Sequence, residues 1–365
     1  MDATSGAGNT RGRRRFGLHG NRGRPKGRPE PEAATAEEGP QKAAYYGALD
    51  LGTNNCRLLI AAPAAQGFHV KDAFSRIVRL GEGLGKTGAL NASAMERTID
   101  ALRVCSNKLV WHKVKKYRLI ATEACRMASN GAEFIARVTG ETGLELEIID
   151  RETEAKLAAT GAEPLIDPDA QSALIFDIGG GSTEIMWVEQ REGKKELLAW
   201  TSLAAGVVTI SEQFGGGIEV TAQSFAAMRN FLRPLLAEFV NRVQQLKGSA
   251  ALPSHLLGTS GTVTTIAGVQ LGLRRYDRSK VDGCWLLSGD VGKVTADLLG
   301  MSYEERMMNA CIGRERADLV MAGCAILEEI RLAFPANRIR VADRGLREGI
   351  LTQLMMEDGT YGRTS

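Results

Sequence analysis

"ALIFDIGGGSTEIMWV", Ala173 to Val188, is an apolar run that stops at an aspartate, turns through three glycines and a Ser-Thr pair, and becomes apolar again. The pattern reads as strand, tight turn, strand, with Asp177 at the mouth of a buried strand. Glycine lets a backbone approach a ligand closely, and successive N–H groups in such a turn form an anion-binding nest. The arrangement also stands earlier in the chain. There "YYGALDLGTNNCRLLIAA" (Tyr45 to Ala62) places Asp50 before Gly52, Thr53 and Asn54. One Asp-x-Gly marks any tight turn, but recurrence at matching points of two similar units points to a shared site.

Working outward, each hairpin leads into a third strand and then into helices and strands. In the first unit "FHVKDAFSRIVRL" is predicted as the third strand and "NASAMERTIDALRVCSNKLVWHKV" as a helix. "KYRLIAT" follows as a strand, "EFIARVTGET" as a helix and "LELEIID" as a strand, and Asp150 caps a helix over "RETEAKLAATGA". In the second unit "KKELLAWTSL" is the third strand. A long amphipathic helix "TAQSFAAMRNFLRPLLAEFVNRVQQL", strand "SHLLGTS" and helix "GTVTTIAGVQLG" come after it. The expected fold is a duplicated α/β unit with a cleft between its copies.

Three glycine turns are candidate phosphate cradles. Gly52, Thr53 and Asn54 form the first, and Gly179, Gly180, Gly181, Ser182 and Thr183 the second. The third, in "LGTSGTVTTIAG", offers Gly258, Ser260 and Gly261 at a helix start, where free N–H groups and the helix dipole favour phosphate. Taken alone, that last turn is equally a plain strand-to-helix connection. Strand-end carboxylates at Asp50 and Asp177, facing each other across a cleft, suit a hydrated Mg²⁺ or another divalent cation. "GEGLGKTG" (Gly81 to Gly88) imitates a P-loop but is not one. Leu80 stands where the first glycine is required, and no apolar helix begins at the Lys-Thr, so Lys86 is expected in solvent.

Composition limits the remaining classes. Of 365 residues 44% are apolar and 24% charged, and no apolar run reaches membrane-spanning length. The net charge of +3 lies wholly in residues 1–40, which hold eight Lys/Arg and five Asp/Glu. Residues 1–43 read as a disordered Arg/Gly-rich tail whose composition permits electrostatic contact with a polyanion. "RRRF" is followed by no hydrophobic segment, so export is not expected and the predicted location is the cytoplasm. Six scattered cysteines and four histidines show no metal-ligand spacing, and no GxSxG or HExxH occurs. Hydrolysis here would need a carboxylate to position water.

Assembled, these residues resemble the exopolyphosphatase/guanosine pentaphosphatase (Ppx/GppA) family of the actin-like ATPase, sugar kinase and Hsp70 superfamily. The resemblance runs from about residue 45 to about residue 357. "ALDLGTNNCRLLI" and "FDIGGGSTEI" look like its two phosphate loops. "ATEACRMASNGAEFIARV", "EIIDRETEAKL", "RRYDRSKVDG", "RERADLVMAGCAILEEI" and "VADRGLREGIL" follow its further motifs in order. It implies two ribonuclease H-like domains. One spans 44–153 with a final helix near 346–365, and the other spans 154–345. It also implies that Glu154 is the catalytic glutamate, that Arg126 faces the phosphate, and that Asp50, Asp177 and Glu184 surround the metal. Longer relatives append a helical region with an HD motif, and the short two-domain form is expected here. The implied activity is release of terminal orthophosphate from inorganic polyphosphate, with pppGpp as the alternative substrate, in a protein expected to form a homodimer. A sugar or acetate kinase, or a non-catalytic binder, would share the loops without needing Glu154.

Overall fold

The computed structural model describes residues 44–248 and 251–362, and the tail expectation for residues 1–43 falls outside them. The first sheet contains β1 (Tyr46–Leu51), β2 (Asn55–Pro63), β3 (Phe68–Ile77), β4 (Lys116–Ala121) and β5 (Glu147–Ile148) in the order β3-β2-β1-β4-β5. β1 pairs antiparallel with β2 and parallel with β4. The second contains β6 (Ser172–Ile178), β7 (Thr183–Arg191), β8 (Lys194–Leu203), β9 (His255–Thr259), β10 (Trp285–Leu287) and β11 (Arg338–Ala342). Its order is β10-β11-β9-β6-β7-β8, with β6 antiparallel to β7 and parallel to β9. Reading outward from β1 and β6, the two sheets repeat one topology, as the hairpin pattern predicted. "LELEIID" is the exception: only Glu147 and Ile148 pair with β4, because the chain turns at once into the Asp150-capped helix.

Helices cover both faces of each sheet. Helix Ala92–Trp111, capped by Asn91, packs Ile99, Leu102 and Cys105 against β1 and β2. The long helix Ala222–Lys247 and helix Val320–Ala333 form the large core under the second sheet. Helix Arg151–Ala162 is shared by the two sheets. Leu157 joins the cluster of β1 and the C-terminal helix Leu346–Glu357, while Ala155, Ala158 and Ala162 join that of β6 and β7. The helix that carries Glu154 is therefore packed on both domains.

Backbones touch where those last two helices cross. A Cβ on Gly161 would lie 1.9 Å from the Gly345 carbonyl oxygen, and one on Gly349 would lie 1.9 Å from that of Leu157. At the cleft mouth, Arg79 donates to both Asp318 carboxylate oxygens at 2.8 and 3.1 Å, and the Gly83 amide donates to Glu212 Oε1 at 2.9 Å. The rejected P-loop look-alike is thus an interdomain contact, with Lys86 exposed.

Gly161→Ala is expected to destabilise the protein by about 1–3 kcal/mol or more through overpacking. Gly140→Ala, on an exposed helical position with nothing within 4 Å of the new Cβ, is expected to stabilise it by about 0.5–1 kcal/mol. Thermal denaturation of the two variants checks the contrast, and equal melting temperatures would contradict the crossing geometry.

Candidate active site

A cleft of about 400 Å³ opens between the two sheets, floored by the strand ends that carry Asp50 and Asp177. Their registers explain how the floor is built. Asp50 stands opposite Arg57 in the β1–β2 ladder, and Asp177 stands opposite Glu184 in the β6–β7 ladder. Equivalent positions of the two units therefore place a guanidinium on one side of the cleft and a carboxylate on the other.

The glycine loops meet face to face. A Cβ on Gly180 would lie 3.0 Å from Thr53 Cβ and 3.1 Å from the Asn54 nitrogen, and one on Gly206 would lie 2.4 Å from the Gly180 carbonyl carbon. Only bare backbone fits there. At the third turn Ser260 holds φ at 78°, a left-handed conformation uncommon outside glycine, and its hydroxyl donates to the Ile178 carbonyl at 2.8 Å. Gly52, Thr53, Asn54, Gly179, Gly180, Gly181, Ser182, Ser260 and Gly261 all line the cleft.

Two predicted cradle residues do not. Gly258 lies within β9, where a Cβ would sit 2.6 Å from the Phe176 ring, so its glycine serves packing. Thr183 is fully buried, and its hydroxyl donates to the Ala205 carbonyl at 2.6 Å. In this structure Gly258 serves packing and the Thr183 hydroxyl an internal hydrogen bond.

Arg126 also differs from what the resemblance implies. Its Nε and Nη2 donate to Glu123 Oε2 at 3.1 and 2.8 Å, its Nη1 to the Ile149 carbonyl at 2.7 Å, and its Nη2 to Glu154 Oε2 at 2.7 Å. The guanidinium is committed to these partners rather than turned to the cleft. The cations that line the cleft are Arg57, Arg316, Arg344 and Arg347, none of which the sequence reading selected. Among the described residues Arg57 and Arg316 form no ion pair, and Arg316 lies against Gly261, 3.5 Å from where a Cβ would stand. Burial, and then the neighbouring Arg57 charge, lower the Arg316 pKa; burial also lowers that of Arg347, which Arg57 depresses further. Arg344 pairs with Asp282 and Arg347 lies 3.9 Å from Glu348, so Arg57 and Arg316 are the cleft cations left for an anion.

The cleft carboxylates are deeply desolvated. Burial raises the pKa of Asp50 and Asp177 against the opposing pull of the nearby Arg57 charge, and neither forms an ion pair with a described residue. Glu184, 2% exposed, accepts hydrogen bonds from the Ser182 and Ser202 hydroxyls, both at 2.8 Å. Loss of solvent, and next the Glu184 charge, push Glu154 well up against the opposing pull of Arg126. Among the described residues no three acidic, histidine or cysteine side chains converge as a ready-made metal cage. The donor set instead fits a cation that keeps its waters and takes one or two carboxylates plus substrate oxygens, as Mg²⁺ does. The Thr259 hydroxyl and the Asn54 side-chain amide oxygen, both buried without hydrogen-bond partners on the cleft lining, would offer further oxygen donors of the same kind.

Comparison with known proteins agrees with this geometry. The chain belongs to the Ppx/GppA phosphatase family, whose sequence profile matches residues 59–358. Exopolyphosphatase 2 of Mycobacterium tuberculosis is 29% identical over 320 residues, 84% of this chain and 97% of the relative. The guanosine-5'-triphosphate,3'-diphosphate pyrophosphatase of Aeromonas salmonicida is 28% identical over 311 residues, 85% of this chain and 59% of the relative. The crystal structure of an exopolyphosphatase from Cytophaga hutchinsonii superposes with a TM-score of 0.78 at 26% identity, covering 88% of this chain and all of that one. The fold is that of two actin-like α/β domains. Among the described residues no helix is long and apolar enough to cross a membrane.

The buried acids make stability depend on pH. Burial, and then Asp177, raise Glu184 from 4.5 to about 7. A raised carboxyl binds more protons folded than unfolded, so its contribution is complete below the unfolded value and is lost as pH rises through about 7. Asp50, Asp177 and Glu154 act in the same direction. The melting temperature of protein stripped of divalent ions is therefore expected to fall between pH values near 4.5 and 7, and Glu184→Gln to flatten that slope. A wild-type melting temperature that rises over that window would contradict the account.

Proposed function

We propose that this protein is an exopolyphosphatase that releases terminal orthophosphate from linear inorganic polyphosphate by direct attack of water. The observation that carries the reading is the cluster of arginines lining the cleft, Arg57, Arg316 and Arg347, together with its buried carboxylates. A repeating anion is the ligand such a cluster suits, and phosphoryl transfer needs positioning and charge neutralisation more than covalent help. The loop amides of Gly180 and Gly181 and of Thr53 and Asn54 hold phosphoryl oxygens, while those of Gly52 and Gly179 close the turns on Asn55 and Ser182. Glu154 takes a proton from water as its oxygen attacks the terminal phosphorus, and the bond to the bridging oxygen breaks on the opposite side. A divalent cation held by Asp50, Asp177 and Glu184 would supply charge neutralisation at the phosphoryl oxygens.

A second reading has its own support. The cleft lining also includes Tyr276, Ile312, Leu319 and Val320, apolar surface on which a base could pack, and one relative is named as a pppGpp pyrophosphatase. Phosphate release measured side by side on long polyphosphate, short polyphosphate and pppGpp separates the readings. Polyphosphate is expected to be the faster substrate, and exclusive release from pppGpp would reverse the assignment.

Two variants test the roles. Glu154→Gln is expected to keep the fold and substrate binding and to lower kcat by ~10²–10⁴, the range for loss of a general base. Near-normal kcat with raised KM would limit Glu154 to binding. Asp177→Asn is expected to retain its circular dichroism spectrum and to lose activity and its dependence on Mg²⁺. Unfolding of that variant would make Asp177 a structural cap.

A further inference from the structure

Four charged side chains run in line from the surface to the cleft. Arg151, 38% exposed, donates Nη2 to Glu123 Oε1 at 2.7 Å and Nε to Oε2 at 3.2 Å. Glu123, 7% exposed, accepts Arg126 on its other side, and Arg126 in turn meets Glu154 at 2.7 Å. Glu123 and Arg126 are three residues apart on the short helix Glu123–Met127, a spacing at which side chains on one helix face meet. Glu123 belongs to no predicted set, yet it lines the cleft. Its Cγ would be 3.0 Å from a Cβ on Gly181, so its stem braces the second phosphate loop from the opposite domain.

A guanidinium has five N–H donors, and four contacts bind Arg126 in place: two to Glu123, one to the Ile149 carbonyl and one to Glu154. Both Glu123 contacts fall on one oxygen, which fixes the plane of the guanidinium and aims its remaining edge at Glu154. Without Glu123 the guanidinium keeps its charge but loses that anchor, and a phosphate in the cleft becomes its strongest available partner. Arg126 would then turn from the base to the substrate.

We propose that Glu123 is a positioning residue for hydrolysis, holding Arg126 against Glu154 and off the cleft lining. This rests on the reading of Glu154 as the base. Burial opposes ionisation of Glu123, but Arg151 and Arg126 outweigh it and hold its pKa below the ordinary value, so its anchor is charged at working pH. Arg151 shares the load from the surface, which keeps Glu123 from following Arg126 inward.

The test is a double-mutant cycle with polyphosphate as substrate. Glu123→Gln is expected to lower kcat by about 10- to 100-fold, the scale of a misplaced catalytic group. KM should stay unchanged or fall, because the freed Arg126 adds a ground-state contact. Glu123→Asp, which keeps the charge, should recover part of kcat. In a Glu154→Gln background the Glu123→Gln change should have no further effect on kcat. If Glu123→Gln raises KM, or if its effect adds fully to that of Glu154→Gln, the positioning role is overturned. If neither Glu123 variant folds, Glu123 is structural and the proposal also fails. Failure of the underlying reading looks different: Glu154→Gln itself would then keep its kcat.

Discussion

The structure depends on charges that do not cancel. On one side of the cleft Arg57, Arg316 and Arg347 crowd together, and on its floor Asp50, Asp177 and Glu184 stand without ion-pair partners. Burying unpaired charge is among the costliest things a fold can do, and proteins tolerate it where a ligand completes the pairing. The cleft is built to set the two signs beside each other at fixed positions. The sheet ladders fix Asp50 opposite Arg57 and Asp177 opposite Glu184, and the face-to-face glycine loops leave room between them for phosphoryl oxygens and a hydrated cation.

Duplication supplies this geometry, and divergence between the copies gives it direction. Both units carry the strand-end aspartate and the glycine turn. They differ at the residue facing that aspartate across the hairpin, Arg57 in one and Glu184 in the other. A symmetric site would bind an anion or a cation, whereas the broken symmetry accommodates both. The helix of Glu154 lies between the sheets, pinned by its glycine crossing with the C-terminal helix, so the proposed base is held by both domains at once.

Much of this was legible in the sequence because its signals are local. Apolar runs interrupted by Asp-Gly turns gave the hairpins, and Asp150 marked the start of the Glu154 helix, where its side chain accepts the Thr153 amide at 2.7 Å. What the sequence does not express is non-local. Gly258 sits in a phosphate-like motif, but the Phe176 ring from a neighbouring strand decides its role. Arg126 is positioned by Glu123, Ile149 and Glu154, contacts that no spacing rule expresses. Arg316 and Arg347 lie in two of the quoted motifs, but no spacing rule places their side chains in the cleft. Arg57 had a findable signal: it follows Asp50 at the spacing that separates Glu184 from Asp177, so aligning the two hairpins would have marked it.

The central claim is that water is the phosphoryl acceptor in this cleft. Turnover of polyphosphate in water enriched in oxygen-18, with mass spectrometry of the product, addresses it directly. The account predicts that each orthophosphate released carries a single solvent oxygen and that the remaining polymer stays unlabelled. Unlabelled orthophosphate, or phosphate appearing only on an added sugar or carboxylate acceptor, would contradict it.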